Sequence, residues 1–389
     1  MAPKGFRAAA VAAEMRYKGR PDLGLIVCDQ FQASAAVFTA NVCQAAPVLW
    51  SKPRAAAGRA VLVNAGQANA QTGAEGLEVC RQSAEAAGRR LQLPAEQVLL
   101  ASTGVIGQPV NLQALLGSLD SLTAALSPDG LGDFAQAIMT TDTFAKTAEA
   151  EAALPAGPTA SVWGAAKGSG MIAPNLATML AFVLTDAAVE PALLRRLLLE
   201  GAEATFNRVT VDGDTSTNDS LFVFASGACG APLVTDGPAA ESFQRALRAV
   251  MDSLSRQLAR DGEGATRLVE VAVRGAQNTG EARQAARTVA ESPLVKTAFF
   301  GRDANWGRVL AALGRSGARF DPYQVDLDLD EVPWVRGGRD NGREAEATAV
   351  MNRREYRLSI DLKAGEASYV MLTCDFSHDY VSINGSYRS

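Results

Sequence analysis

Short apolar runs bounded by Gly, Asn and Asp recur along the chain, and between them apolar residues return at helical spacing. The runs at 24–28, 60–64, 98–101, 161–166, 179–186 and 220–226 predict strands, with more near 267–274, 355–361 and 368–374. Ala8 to Ala13 reads as a first buried strand with charged flanks. After Pro191, which sits where a first helical turn accepts proline, Leu193, Leu194, Leu197, Leu198 and Ala202 form one stripe. Phe243, Leu247, Val250, Met251, Leu254 and Leu258 form another over 238–260, and 305–316 predicts a third helix. Glu149 to Pro158 and Arg336 to Glu346 carry neither period and are predicted to be surface loops. The whole is an alternating α/β chain without internal repeats. Its 389 residues suggest two or three folding units, at about 150 residues each.

Charge and composition narrow the chemistry. The net charge of −5 lacks the basic footprint that nucleic acid requires. No apolar stretch approaches the roughly 18 residues of a membrane helix; Leu176 to Leu184 is half that length. The basic N-terminus imitates a transit peptide, but no secretory apolar segment follows it, and a cytoplasmic location is predicted. Cys28, Cys43, Cys80, Cys229 and Cys374 form no C-x-x-C pair and read as reduced thiols. The most restrictive count is one histidine, His378. It excludes any site with two His ligands, and no metal is expected. His378 has no partnered nucleophile motif and reads as a surface or capping residue. Asp212, Asp214, Ser216 and Asn218 alternate like the start of a calcium loop. Thr217 and Val223 occupy the positions that need Gly and Glu, so the run is expected to make side-chain-to-backbone bonds instead.

The stretch from Lys167 to Asp186 is unusual. A glycine-rich entry, Lys-Gly-Ser-Gly, leads through Asn-Leu-Ala-Thr178 straight into an apolar run. A threonine there can simply supply β-propensity. In a chain almost without histidine there is another reading. A threonine hydroxyl can use its own α-amine as base, since that amine has a reference pKa of about 7.7–8.0. That chemistry requires Thr178 to be an N-terminus, and so requires the chain to cut itself.

Long motifs then run in order from end to end: Pro3-Lys-Gly-Phe-Arg7, Asn64-Ala-Gly-Gln-Ala-Asn-Ala-Gln-Thr-Gly73, Ser102-Thr-Gly-Val-Ile-Gly107, Met139-Thr-Thr-Asp-Thr143 and Lys167 to Asp186. After these come Phe206 to Asp219, Asp261-Gly-Glu-Gly-Ala-Thr266, Ser292 to Thr297, Asn305-Trp-Gly-Arg-Val309 and Asp379 to Ser389. By these motifs the chain resembles the ornithine acetyltransferases, the bifunctional glutamate N-acetyltransferases and amino-acid acetyltransferases of arginine biosynthesis. The resemblance implies stacked sheets with helical layers, as in self-cleaving aminopeptidase-like N-terminal-nucleophile enzymes. A smaller C-terminal α/β domain over about 240–389 is implied as well.

It also implies cleavage between Ala177 and Thr178, giving an α chain 1–177 and a β chain 178–389 that assemble as α2β2. Thr178 would carry the acetyl group from N2-acetylornithine to glutamate in two steps, with acetyl-CoA as a second donor and no cofactor. Thr103 and Gly104 would stabilise the oxyanion. Substrate contacts fall on Thr143, Lys167, Thr178, Glu263, Asn384 and Ser389; Thr140 and Thr141 lie beside Thr143 in the same motif. Lys167 would pair with a carboxylate and Glu263 with an ammonium group. The competing expectation is an amidohydrolase or aminopeptidase on the same self-cleaving scaffold, with water in place of glutamate. A non-enzymatic binding module would leave the chain uncut.

Overall fold

The computed structural model describes residues 2–155, 157–173 and 179–386. Cleavage at 177–178 and a contact from Ser389 therefore fall outside the described residues. The chain divides into two units, Met1–Asn207 with Asp214–Leu258, and Arg208–Gly213 with Ala259–Ser389.

The first unit is built on two sheets. One has four strands in the order Phe6–Val11, Leu23–Cys28, Ala60–Gln67, Val98–Val105. The other has five, in the order Ala33–Phe38, Ser220–Ala225, Leu180–Thr185, Ala160–Lys167, Lys146–Ala152. Alternation along each strand explains the stacking. Val61, Val63, Leu99 and Ala101 point into one cluster with Trp163, Ala165, Phe182, Leu184, Phe222 and Phe224 of the other sheet. Phe182 and Phe222 stack there with ring centroids 5.5 Å apart. The intervening positions Leu62, Val98 and Leu100 pack instead on Cys80, Ala84, Ala87, Leu115, Leu119 and Leu122. Those six come from helices Gly73–Leu91 and Leu112–Ala124.

Beyond the five-stranded sheet lie helices Pro191–Ala204 and Gly237–Arg260. Gly164 of the sheet admits Val250 and Leu254 at distances where any side chain would collide, and Gly201 does the same for Met251. Both faces of each sheet are thus covered, and the central strands read as unbroken apolar runs. The stacked sheets with helical layers are present as the resemblance implied.

The second unit has one six-stranded sheet, in the order Arg339–Asp340, Val332–Arg336, Asp326–Leu329, Glu355–Asp361, Leu268–Ala276, Ala367–Cys374. Helices Thr279–Ala290, Pro293–Gly301 and Trp306–Gly314 supply Ala282, Ala286, Val289, Val295, Phe299, Val309 and Leu313 to its core.

Two predicted loops are partly regular. Lys146–Ala152 is an edge strand in which Thr147, Glu149 and Glu151 are exposed. Charged outward positions are how an edge avoids further pairing, and here they hide the apolar period. In the second, Gly337 and Gly338 have φ of +54° and +69° and turn the chain into the short strand Arg339–Asp340, while Glu344 opens a helix. No described helix is long and apolar enough to cross a membrane.

Candidate active site

Strand Val98–Val105 runs parallel to Ala60–Gln67, pairing Ala65 with Thr103 and Gly66 with Gly104. Gly104 has φ of +127°, and a Cβ there would overlap the backbone of Gly66, so the position admits only glycine. Asn218 secures the same strand end from the other sheet's side. Its amide Nδ2 donates to the carbonyls of Ala68 at 2.6 Å and Ser102 at 2.8 Å.

Lys167 is the last residue of strand Ala160–Lys167, and it is 5% exposed. Its Nζ donates to Thr103 Oγ1 at 3.1 Å and to Thr140 Oγ1 at 2.8 Å, and lies 3.8 Å from Asp142 Oδ2. Asp142 Oδ1 accepts from Lys146 Nζ at 2.7 Å and from the Gly168 amide at 2.6 Å. Its Oδ2 accepts from the Thr140 amide at 3.0 Å. Burial alone would raise the Asp142 pKa, but the Lys167 and Lys146 ammonium groups outweigh it and hold the carboxyl at about 2. Thr141 shares a 2.6 Å hydrogen bond with Ser169, whereas Thr143 is exposed. In the Thr140–Thr143 motif, Thr140 meets Lys167.

Met179 is held at both ends. Its amide donates to Asp219 Oδ1 at 3.0 Å, and its carbonyl accepts from the Ser220 amide at 3.1 Å. Asp219 is fully buried, and its Oδ2 has no partner among the described residues. Burial pushes its pKa well above the ordinary carboxylate value, against the opposing pull of the Met179 amide.

In the second unit, Glu263 is 6% exposed and accepts from Asn384 Nδ2 at 2.8 Å. Asn384 lies on helix His378–Gly385. Gly264, at φ of +69°, lets that helix approach: a Cβ would stand 2.6 Å from the Tyr380 amide nitrogen. Ser377 Oγ donates to the Gly264 carbonyl at 2.6 Å. His378 is exposed, as its surface reading required; its ring meets the Phe300 ring edge-on, and its carbonyl accepts from Ser382 Oγ at 3.2 Å. Within 212–218, Ser216 Oγ accepts from the Asn218 amide at 3.0 Å, the expected local bond. The described residues contain no cluster of metal ligands, and all five cysteines are free.

The comparisons with known proteins decide the lineage. The ArgJ family model matches residues 7–389. The chain belongs to the ArgJ family. Among its ArgJ relatives, one from Desulfotalea psychrophila is 48% identical over 391 residues, covering 99% of both chains. Another from Geobacter sulfurreducens is 46% identical over the same length, again covering 99% of both. Both are named arginine biosynthesis bifunctional protein ArgJ. The crystal structure of ArgJ from Bacillus halodurans is 41% identical with a TM-score of 0.51, covering 53% of this chain and 98% of that one.

Of the residues that motif reading named, Lys167 meets Thr103 beside Gly104 in the first unit, and Asn384 meets Glu263 in the second. That reading assigned no role to Asp142, Lys146 or Asp219, and to Asn218 only side-chain-to-backbone bonding within its loop. Three of these stand in quoted motifs, and Lys146 follows Asp142 by four residues. The missing signal was burial, which a sequence of polar residues conceals.

Proposed function

We propose that this chain is a self-cleaving acetyltransferase of arginine biosynthesis, moving acetyl groups onto glutamate from N2-acetylornithine and from acetyl-CoA. The observation that carries the reading is the end-to-end kinship with bifunctional ArgJ proteins. No resident cofactor is needed; acetyl-CoA is a substrate. The free cysteines and the biosynthetic kinship support a cytoplasmic location, and the cleavage fragments assemble as α2β2.

Maturation comes first. Thr178 Oγ attacks the Ala177 carbonyl, the peptide nitrogen leaves as the Thr178 α-amine, and water hydrolyses the resulting ester. This yields fragments of 177 and 212 residues. The cut is supported by the Bacillus halodurans chain, which aligns over nearly all of its own length but only 53% of this one. In turnover the α-amine takes the Thr178 hydroxyl proton as Oγ attacks the acetyl carbonyl of acetylornithine. Ornithine leaves, and the glutamate amine then attacks the acetyl-threonine ester, restoring the hydroxyl. Such a two-step transfer gives ping-pong kinetics.

Every step passes through an oxyanion, for which Thr103 and Gly104 are the donors. The geometry supports that role: a buried hydroxyl beside a lysine ammonium, followed by a position that only glycine can occupy. Thr143, Lys167, Glu263, Asn384 and Ser389 contact the amino-acid substrates, Lys167 with a carboxylate and Glu263 with an ammonium group. Asp219 and Ser220 fix Met179, the residue that follows Thr178 in sequence.

The test is an intact-mass measurement with a transfer assay. The active protein should consist of fragments 1–177 and 178–389, and glutamate should accelerate ornithine release from acetylornithine. Thr178→Ala should abolish both cleavage and transfer. An active uncut chain would overturn the reading, and ornithine release indifferent to glutamate would identify a hydrolase.

A further inference from the structure

The hydrogen-bond geometry around Thr103 assigns a second task to Lys167. A threonine hydroxyl has one hydrogen to donate and lone pairs to accept with, whereas an ammonium group only donates. At 3.1 Å from Lys167 Nζ, Thr103 Oγ1 must therefore be the acceptor. Its own hydrogen is directed elsewhere, and among the described residues no acceptor takes it. Thr103 is only 8% exposed, so bulk water does not readily claim that hydrogen. A cation on a hydroxyl lone pair makes the hydroxyl a stronger donor.

The cation is itself anchored. Asp142 is fully buried between two ammonium groups, bonded to Lys146 at 2.7 Å and 3.8 Å from Lys167. Backbone amides of Thr140 and Gly168 fix its two oxygens. Thr140 takes a second proton of Lys167, so the ammonium is oriented from two sides.

We propose that Lys167 is a positioning residue for the oxyanion site: anchored by Asp142 and Lys146, its ammonium holds the lone pair of Thr103 and turns the Thr103 hydrogen toward the developing oxyanion. The inference rests on the reading in which Thr103 serves that oxyanion. It makes a demand that pairing with a substrate carboxylate does not. Self-cleavage involves no amino-acid substrate, so a lysine that only binds substrate is idle during it. A lysine acting through Thr103 is needed for cleavage and transfer alike.

The experiment follows the full-length precursor on denaturing gels as it converts to its two fragments, for Lys167→Met, Thr103→Val and the double variant. Lys167→Met should slow cleavage about tenfold or more. Thr103→Val should slow it about 100-fold, the usual scale for one oxyanion donor. The double variant should be no slower than Thr103→Val, because the two residues act as one unit. In cleaved Lys167→Met enzyme, kcat should fall in addition to the rise in acetylornithine KM that loss of the carboxylate contact brings. Lys167→Met that cleaves at the parental rate, or that multiplies the Thr103→Val defect, overturns the inference. A Thr178→Ala precursor that still cuts at 177–178 would instead overturn the nucleophile reading, so the two failures are distinct.

Melting of Lys167→Met in the uncleavable Thr178→Ala background checks the fold. Should that variant not fold, Asp142→Asn decides. The groups acting on Lys167 include Asp142, Asp219, the Thr103 and Thr140 hydroxyls and, across Asp142, Lys146; Tyr17 also feels Asp142. Removing the Asp142 charge favours loss of the Lys167 proton, so Asp142→Asn should cleave progressively more slowly than the parent as pH rises above neutral. A pH profile parallel to that of the parent overturns the inference.

Discussion

Both units bury a carboxylate against a cation, with different stoichiometry. In the second unit Asp375 is fully buried and pairs with Arg267 at 3.3 Å. It accepts from the amides of Thr266 and Arg267 and from the Thr266 hydroxyl. Arg267 Nε meanwhile donates to the Met351 carbonyl at 2.9 Å. One carboxylate meets one guanidinium, and both are spent on joining a turn to a strand end. In the first unit Asp142 is shared between two lysines, and one of them reaches past it to a threonine hydroxyl. A closed pair fixes architecture. A shared carboxylate leaves its second cation able to act on something else, and that is where the chemistry is proposed.

Opening the closed pair puts this contrast under the heaviest strain. Arg267→Met strands Asp375 in the core and should cost about 3–5 kcal/mol of stability, the usual cost of removing one partner of a buried pair. Urea unfolding would measure it, and the cleavage rate of the remaining folded precursor should be unchanged. Lys146→Met leaves Asp142 with Lys167 as a one-to-one pair, so its stability loss should be the smaller of the two. A larger loss than that of Arg267→Met would contradict the distinction between shared and closed carboxylates.

The pH dependence sharpens the same contrast within the first unit. The Asp142 pKa is depressed to about 2 from 3.8. Its contribution is therefore full above the unfolded value and is lost as pH falls toward about 2. Asp219 is raised instead, so its contribution is full at low pH and fades as pH rises above the ordinary carboxylate value. Unfolding midpoints between about pH 2 and about pH 8 should lose their acid-side slope in Asp142→Asn. In Asp219→Asn they should lose the decline toward neutral pH. The smallest effect belongs to Asn384→Ala, whose side chain bonds Glu263 from an exposed helix. A several-fold rise in the acetylornithine KM with unchanged stability is expected, read from steady-state kinetics.

The legible parts of the fold were those in which apolar residues lie consecutively or at clean helical spacing. Leu180–Thr185, Ser220–Ala225 and Pro191–Ala204 stand where the pattern put them. Helix Gly73–Leu91 was illegible because its buried residues are Gly76, Cys80, Ser83, Ala84, Ala86, Ala87 and Gly88, too small to mark a stripe. Ala33–Phe38 and Lys146–Ala152 were missed because alanine is nearly neutral in any period. At the site, the Thr103–Gly104 pair was reached through family resemblance. The physical reason for the glycine, contact with Gly66 on the neighbouring strand, exists only once the parallel pair has formed. Likewise Asp142 looks like any surface acid until the fold encloses it between two lysines.

The strand order of the five-stranded sheet has one more consequence. Ala160–Lys167 and Leu180–Thr185 are antiparallel neighbours, and Ala33–Phe38 pairs with Ser220–Ala225 on the far side. A cut between residues 177 and 178 therefore leaves one sheet woven from two polypeptides, with the pair from the later fragment enclosed on both sides by strands of the earlier one. Before the cut, folding is a reaction of a single molecule. After it, refolding requires two chains to meet, so its rate should depend on concentration, and a denatured mature enzyme should recover poorly from dilute solution where its precursor recovers well.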